Sequence, residues 1–149
     1  MTTVEFAFAG IVVLVVLFAC LEIGRAMFVW NTIGEATRRA ARVAVVCPPN
    51  HASVLRAALL NPPGGNADSD HINGLSIANV TIEYLDSAGS ATTSIPSMAF
   101  VRISITGFQH TLLIPFYTRT ITVPPFRTTL PVESLGYVPE TETRSCPGG

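Results

Sequence analysis

Sixteen consecutive apolar or small residues, Phe6 to Leu21, constrain this chain more than any other feature. A helix that is apolar all round has to be buried, in lipid or in a protein core. The run is slightly short of the roughly 20 residues that cross a bilayer as a helix. The shortfall closes if the span takes in Met1 to Val4 at one end and Ile23 to Trp30 at the other. Glu5 stands directly before the run and is the only charged side chain before Glu22. A carboxylate at the edge of a membrane segment is expensive, so it needs a purpose. The α-amino group of Met1 is cationic over most of the physiological range. Glu5 can neutralise that amine in its own chain or in a neighbour, since either charge left alone in low dielectric costs several kcal/mol. The plainer alternative puts Glu5 at the headgroup level of an ordinary anchor. A secretory signal peptide does not fit. No Lys or Arg precedes Arg25, and the run continues into a helical pattern instead of a small-residue cleavage site.

Residues 1–46 read as one helix, uninterrupted by proline and stopped by Pro48-Pro49. Such a rod is roughly 69 Å long at 1.5 Å per residue. Beyond the apolar run its character changes. Val29, Ile33, Ala36, Ala40 and Val43 form one stripe at spacings of three and four, while Asn31, Glu35, Arg38 and Arg42 follow another face. Glu22 and Arg25 lie one turn apart and can pair, and Glu35 precedes Arg39 by four. Trp30 suits a membrane interface. The small residues from Ala36 to Ala44 let another backbone or a sheet approach closely.

The motifs along this rod narrow the reading. Met1-Thr2-Thr3-Val4-Glu5-Phe6 resembles the processed N-terminus of the type IV pilin superfamily. Val4-Glu5-Phe6-Ala7, then Glu22-Ile23-Gly24-Arg25, then Ala36 to Arg42 resemble, in order and spacing, the TadE-like pseudopilins of tight-adherence pilus systems. The resemblance covers the first 46 residues and loosens afterwards. It implies a short basic leader removed by a prepilin peptidase, and a helix stored in the inner membrane before it packs into a filament. It implies assembly through Met1, Glu5, Phe6, Glu22 and Arg25. It also implies a homo-oligomeric, helical, extracellular filament as the destination, the inner-membrane pilus machinery as partner, and a role in cell adhesion. Arg25, Arg38, Arg39 and Arg42 would then lie on the exported side, against the positive-inside bias; a basic leader would set the orientation before its removal.

From residue 47 to 149 the chain reads as a β-rich headgroup with a short helix near 54–60. Val80, Ile82 and Tyr84 alternate with polar residues, as do Val101, Ile103 and Ile105. Ile121 and Val123 mark a third strand, which Phe126 to Val132 would continue past Pro124-Pro125 at an edge or bulge. The expected fold is α+β, a long apolar pilin-like helix packed on a small antiparallel sheet. Phe108, Leu112, Leu113, Ile114, Phe116 and Tyr117 crowd a segment that looks too irregular for a strand and too apolar for a free loop. It belongs either to the core or to an inter-subunit contact.

The remaining composition excludes more than it suggests. Net charge is −1 and all nine basic residues are Arg, which argues against nucleic acid. Charged residues make up 13%, about half the usual share. Cys20 sits within the apolar run, whereas Cys47 and Cys146 can pair if the domain is exported. Asp68 and Asp70 fit no EF-hand spacing, and His51, His71 and His110 lack sequence neighbours at metal-ligand spacing. Asn79-Val80-Thr81 is a glycosylation sequon inside a strand, and such sequons are common by chance. No catalytic set, cofactor site or metal site is expected. Two functions from different classes remain. One is a structural filament subunit. The other is a membrane-anchored minor pseudopilin or periplasmic binding domain that does not itself polymerise.

Overall fold

The computed structural model describes residues 2–62, 64–114 and 117–146. Its first element, α1, runs Thr3–Val46, about 66 Å at 1.5 Å per residue. Thr2 and Glu5 form a capping box at its start, with the Glu5 carboxylate accepting the Thr2 backbone N–H at 2.8 Å. The side chain of Glu5 thus serves a helix end whose first N–H groups have no intrahelical partner. At the other end Cys47 leaves the helix in an extended conformation, and Pro48 prevents continuation. The carbonyl of Val45 is taken up by the N–H groups of Glu133 and Leu135, at 3.3 and 3.1 Å. The C-terminal tail therefore closes the helix end that the prolines create.

The headgroup wraps only the second half of α1. A short helix, α2 (Ala52–Ala58), packs back on it. Strands β1 (Val80–Leu85), β2 (Phe100–Ile105) and β5 (Phe126–Pro131) form an antiparallel sheet in the order β1-β2-β5. β3 (Gln109–Ile114) and β4 (Tyr117–Thr122) form a separate hairpin, and β6 (Tyr137–Val138) pairs with β7 (Thr143–Arg144) in the tail. Period-two alternation puts Val101, Ile103 and Ile105 of β2 on the helix side, all fully buried. They meet Ala36, Ala40, Ala41 and Ala44, whose small side chains let the sheet approach α1. Thr37 lies in the same face and is buried. Its hydroxyl donates to the Gly34 carbonyl at 2.8 Å and accepts from Thr128 of β5 at 3.1 Å. A buried hydroxyl without such partners would cost stability.

Two local expectations are corrected. The strand through Ile121 does not continue past Pro124-Pro125; it ends at Thr122, and Phe126 opens β5 in the other sheet. Two residues without an N–H break the ladder there, and the chain changes sheets. Glu35 pairs with Arg38 at 3.4 Å, one turn on, instead of Arg39.

Cys47 and Cys146 form a disulfide across a separation of 99 residues. It lies where the tail passes the end of α1. Gly136 makes that passage possible. Its φ is +74°, and a Cβ there would strike the Ser145 carbonyl and approach Pro48 Cδ to 2.6 Å. Asn61, also buried, braces the polar loop that follows α2. It accepts from Asp70 N–H at 3.0 Å and donates to the carbonyls of Asn66 and Asp68 at 3.2 and 2.7 Å. Asp68 and Asp70 are thus held by backbone contacts in this loop.

Candidate functional site

The apolar run is the least covered part of the molecule. None of the most apolar 18-residue window of α1 is buried, and the helix is long and apolar enough to cross a membrane. Phe6, Phe8, Leu14, Phe18 and Leu21 are all exposed. Free Cys20 is exposed among them. Exposed apolar surface on this scale marks a site of contact with lipid or protein.

Where the bare rod meets the headgroup, α1 and the hairpin are joined through charge. Glu22 and Arg25 pair at 2.8 Å. The same Glu22 Oε2 accepts the backbone N–H of Leu113 at 3.1 Å, and the Arg25 guanidinium donates to the carbonyl of Thr111 at 2.5 Å. Strand geometry explains why those groups are available. Val123 N–H donates to the Phe108 carbonyl, so alternate residues of β3 from Phe108 turn their backbone groups toward β4. Thr111 and Leu113 turn theirs outward, along the free edge. Glu22 and Arg25 take two of those groups, the Leu113 N–H and the Thr111 carbonyl. Both contacts are charge-assisted.

His110 lies under this junction. It is 5% exposed, and its Nε2 has no hydrogen-bond partner among the described residues. Burial holds its pKa below the ordinary histidine value, the Arg25 charge lowers it further, and Glu22 partly opposes both. His110 is therefore favoured in its neutral form.

Residues 1–42 match the family model of TadE-like proteins. The matched stretch holds Glu5, Glu22, Arg25 and Arg42 and stops inside α1. No curated protein and no solved structure matches the chain. The TadE-like region therefore contains the bare rod and both charged residues of the junction, while the hairpin they hold lies outside it.

The residues singled out in the sequence fall in different places. Glu5 contacts Thr2 of its own chain, and Met1 lies outside the described residues. Phe6 is exposed on the rod. Phe108 is 2% exposed and packs in a core cluster with Val29, Ile33, Ile72 and Ile105. Leu112 is half-buried and Leu113 is 62% exposed. Tyr117 opens β4, and Phe116 lies outside the described residues. The segment expected to be irregular is in fact one arm of a hairpin. Its Leu112-Leu113-Ile114 run hides the alternation because one edge rests on the helix and one face is open. His51 sits beside Cys47 and Cys146, with the three potential ligand atoms within 4.8 Å of one another. Both sulfurs are committed to the disulfide, which removes the thiolates a metal would require. Thr111 and His110 went unrecognised as parts of the junction. Only the Glu22–Arg25 spacing hinted at it, and that spacing explains an ordinary pair on one helix face.

Proposed function

We propose that this chain is a pilin-like structural subunit of a tight-adherence pilus system. It is anchored in the inner membrane by residues 3–21 and then packed through the same helix into an extracellular filament. The observation that carries the reading is an 18-residue apolar window with no buried residue, on a helix whose second half packs one face against its own headgroup. The TadE-like match over residues 1–42 supports a pilus-associated role. The core clusters of the headgroup take their α1 residues from Val29 onward, so the residues before Glu22 are available to exchange lipid for neighbouring helices. Repetition of one such contact is heterologous and open, which builds a fibre. Glu5 then meets the N-terminal amine of an incoming subunit, releasing the Thr2 N–H it caps in the isolated chain.

The test is fractionation of sheared surface material, with the N-terminus read by mass spectrometry. The chain should appear in filaments visible by negative stain. Glu5→Ala should leave membrane insertion intact and remove the chain from the sheared fraction. Equal yield from variant and parent would take Glu5 out of the mechanism.

A second reading rests on a groove in the headgroup. About 590 Å³ lie between Pro48, Pro49, Tyr84, Ile95 and Met98, with Arg144 and Glu83 at the rim. A groove of this size can hold a small ligand or a peptide side chain, as a membrane-anchored binding domain would need. Such a protein stays in the membrane fraction whatever stands at position 5.

A further inference from the structure

We propose that the β3–β4 hairpin is a second membrane contact, seated at the headgroup level of the bilayer beside the anchor, with the Leu113 side chain in the interface. The inference rests on the membrane-anchored state alone and not on polymerisation.

The direction of β3 leads there. Phe108 packs with Val29 and Ile33. His110 shares a cleft with Arg25, Phe28 and Val29. Leu113 reaches Glu22. As β3 advances from 108 to 113, its contact on α1 retreats from 29 to 22. That is about 10 Å along the helix axis toward the apolar run at 1.5 Å per residue. The strand thus descends to the level where Phe6–Leu21 ends.

Exposure agrees with the direction. Leu113 is 62% exposed, and Leu21 and Ile23, which flank Glu22 in the helix, are 69% and 60% exposed. The hairpin thus sets an exposed apolar side chain at the level of Glu22, where the bare rod ends. The backbone agrees as well. A strand edge cannot be left open near hydrocarbon, where each unsatisfied group costs several kcal/mol. On this edge two of the outward groups, the Leu113 N–H and the Thr111 carbonyl, are taken by Glu22 and Arg25, and the rest fall at the polar headgroup level. The partner strand sets the depth. Thr118, Arg119 and Thr120 of β4 are exposed, and polar side chains of this kind belong among headgroups and not in the acyl core. The contact is therefore interfacial.

The experiment uses the full chain with its disulfide intact, one copy per nanodisc of phosphatidylcholine and phosphatidylglycerol. Cys20→Ser removes the free thiol. Single cysteines replacing Leu113, Ile95 or Ile11 then carry an environment-sensitive NBD label. At position 113 the emission should shift to the blue and be quenched more by a shallow doxyl lipid than by a deep one. Position 95, exposed on the headgroup, should behave as in water, and position 11 should be quenched most by the deep doxyl lipid. A label at 113 that matches the one at 95 and is quenched by aqueous iodide would overturn the hairpin contact while leaving the anchor in place. A blue shift at 113 that appears only with several copies per disc would also overturn it, and would assign the surface to a second chain. Loss of lipid quenching at position 11 would overturn both the contact and the anchor.

Discussion

The two halves of α1 are one continuous helix with opposite fates. From Val29 onward the small and branched residues of one face are covered by β2, β5 and α2 of the same chain. Before Glu22 the helix carries larger side chains on every face, and they are bare. Packing area does not follow hydrophobicity here. The more apolar half is the one the chain leaves uncovered. The arrangement makes sense only if a partner outside the chain, lipid or protein, completes the first half. Folding of the headgroup and placement of the rod are then separable.

The largest expected effect sharpens that separation. Phe108→Ala removes a fully buried ring from the cluster around Val29 and Ile33. It should cost the detergent-solubilised monomer about 3–5 kcal/mol. Phe8→Ala on the bare half should stay within about 0.5 kcal/mol of the parent. Denaturant unfolding of the two variants gives the comparison. Equal losses would mean that the rod contributes to the headgroup core and that the halves are not independent.

The disulfide comes next. Cys47→Ser with Cys146→Ser should cost about 2–5 kcal/mol, and the chain-entropy value for a loop near 100 residues is about 4.7 kcal/mol. The loss should fall on the packed half alone. Hydrogen exchange should quicken from Ala36 to Val46 and remain unchanged from Val12 to Leu17 in the micelle.

A smaller effect is set by pH at the boundary between the halves. The His110 pKa is lowered in the folded chain, by burial first and by Arg25 second, against the opposing influence of Glu22. His71 faces the same cleft. A group whose folded pKa lies below its unfolded value near 6.5 favours folding in its neutral form. Its contribution is complete above about pH 6.5. It declines as pH falls through the depressed folded value. The melting temperature of the parent should therefore drop over that window more than that of His110→Gln. Identical slopes would remove His110 as the source of the dependence.

What was legible in the sequence follows the same division. The rod, its proline stop and the alternating strands β1 and β2 are local signals, and the structure has all of them. The α+β architecture could be read from their order. The pairing of Cys47 with Cys146 was open, because spacing alone does not bring a helix end to a chain end. The hairpin was illegible for a physical reason. Leu112, Leu113 and Ile114 break the alternation, since burial on β3 is set by a helix 86 and 91 residues away through Thr111 and Leu113. Glu22 and Arg25 satisfy a local pairing rule so well that nothing in their spacing calls for a third and a fourth partner. Asn61 is similar, a buried amide whose three contacts depend on a loop fold that no periodicity encodes.

The most direct test of the account asks what covers the bare half in the final assembly. Cysteines placed singly at Ile11, Leu14 and Leu17, in a chain carrying Cys20→Ser, can be oxidised in sheared extracellular material and in isolated membranes. Ala40→Cys serves as the control in the buried half. The account predicts disulfide-linked dimers through at least one rod position in the sheared fraction and none through position 40. A chain found only in membranes, with no dimer through any rod position, would contradict it.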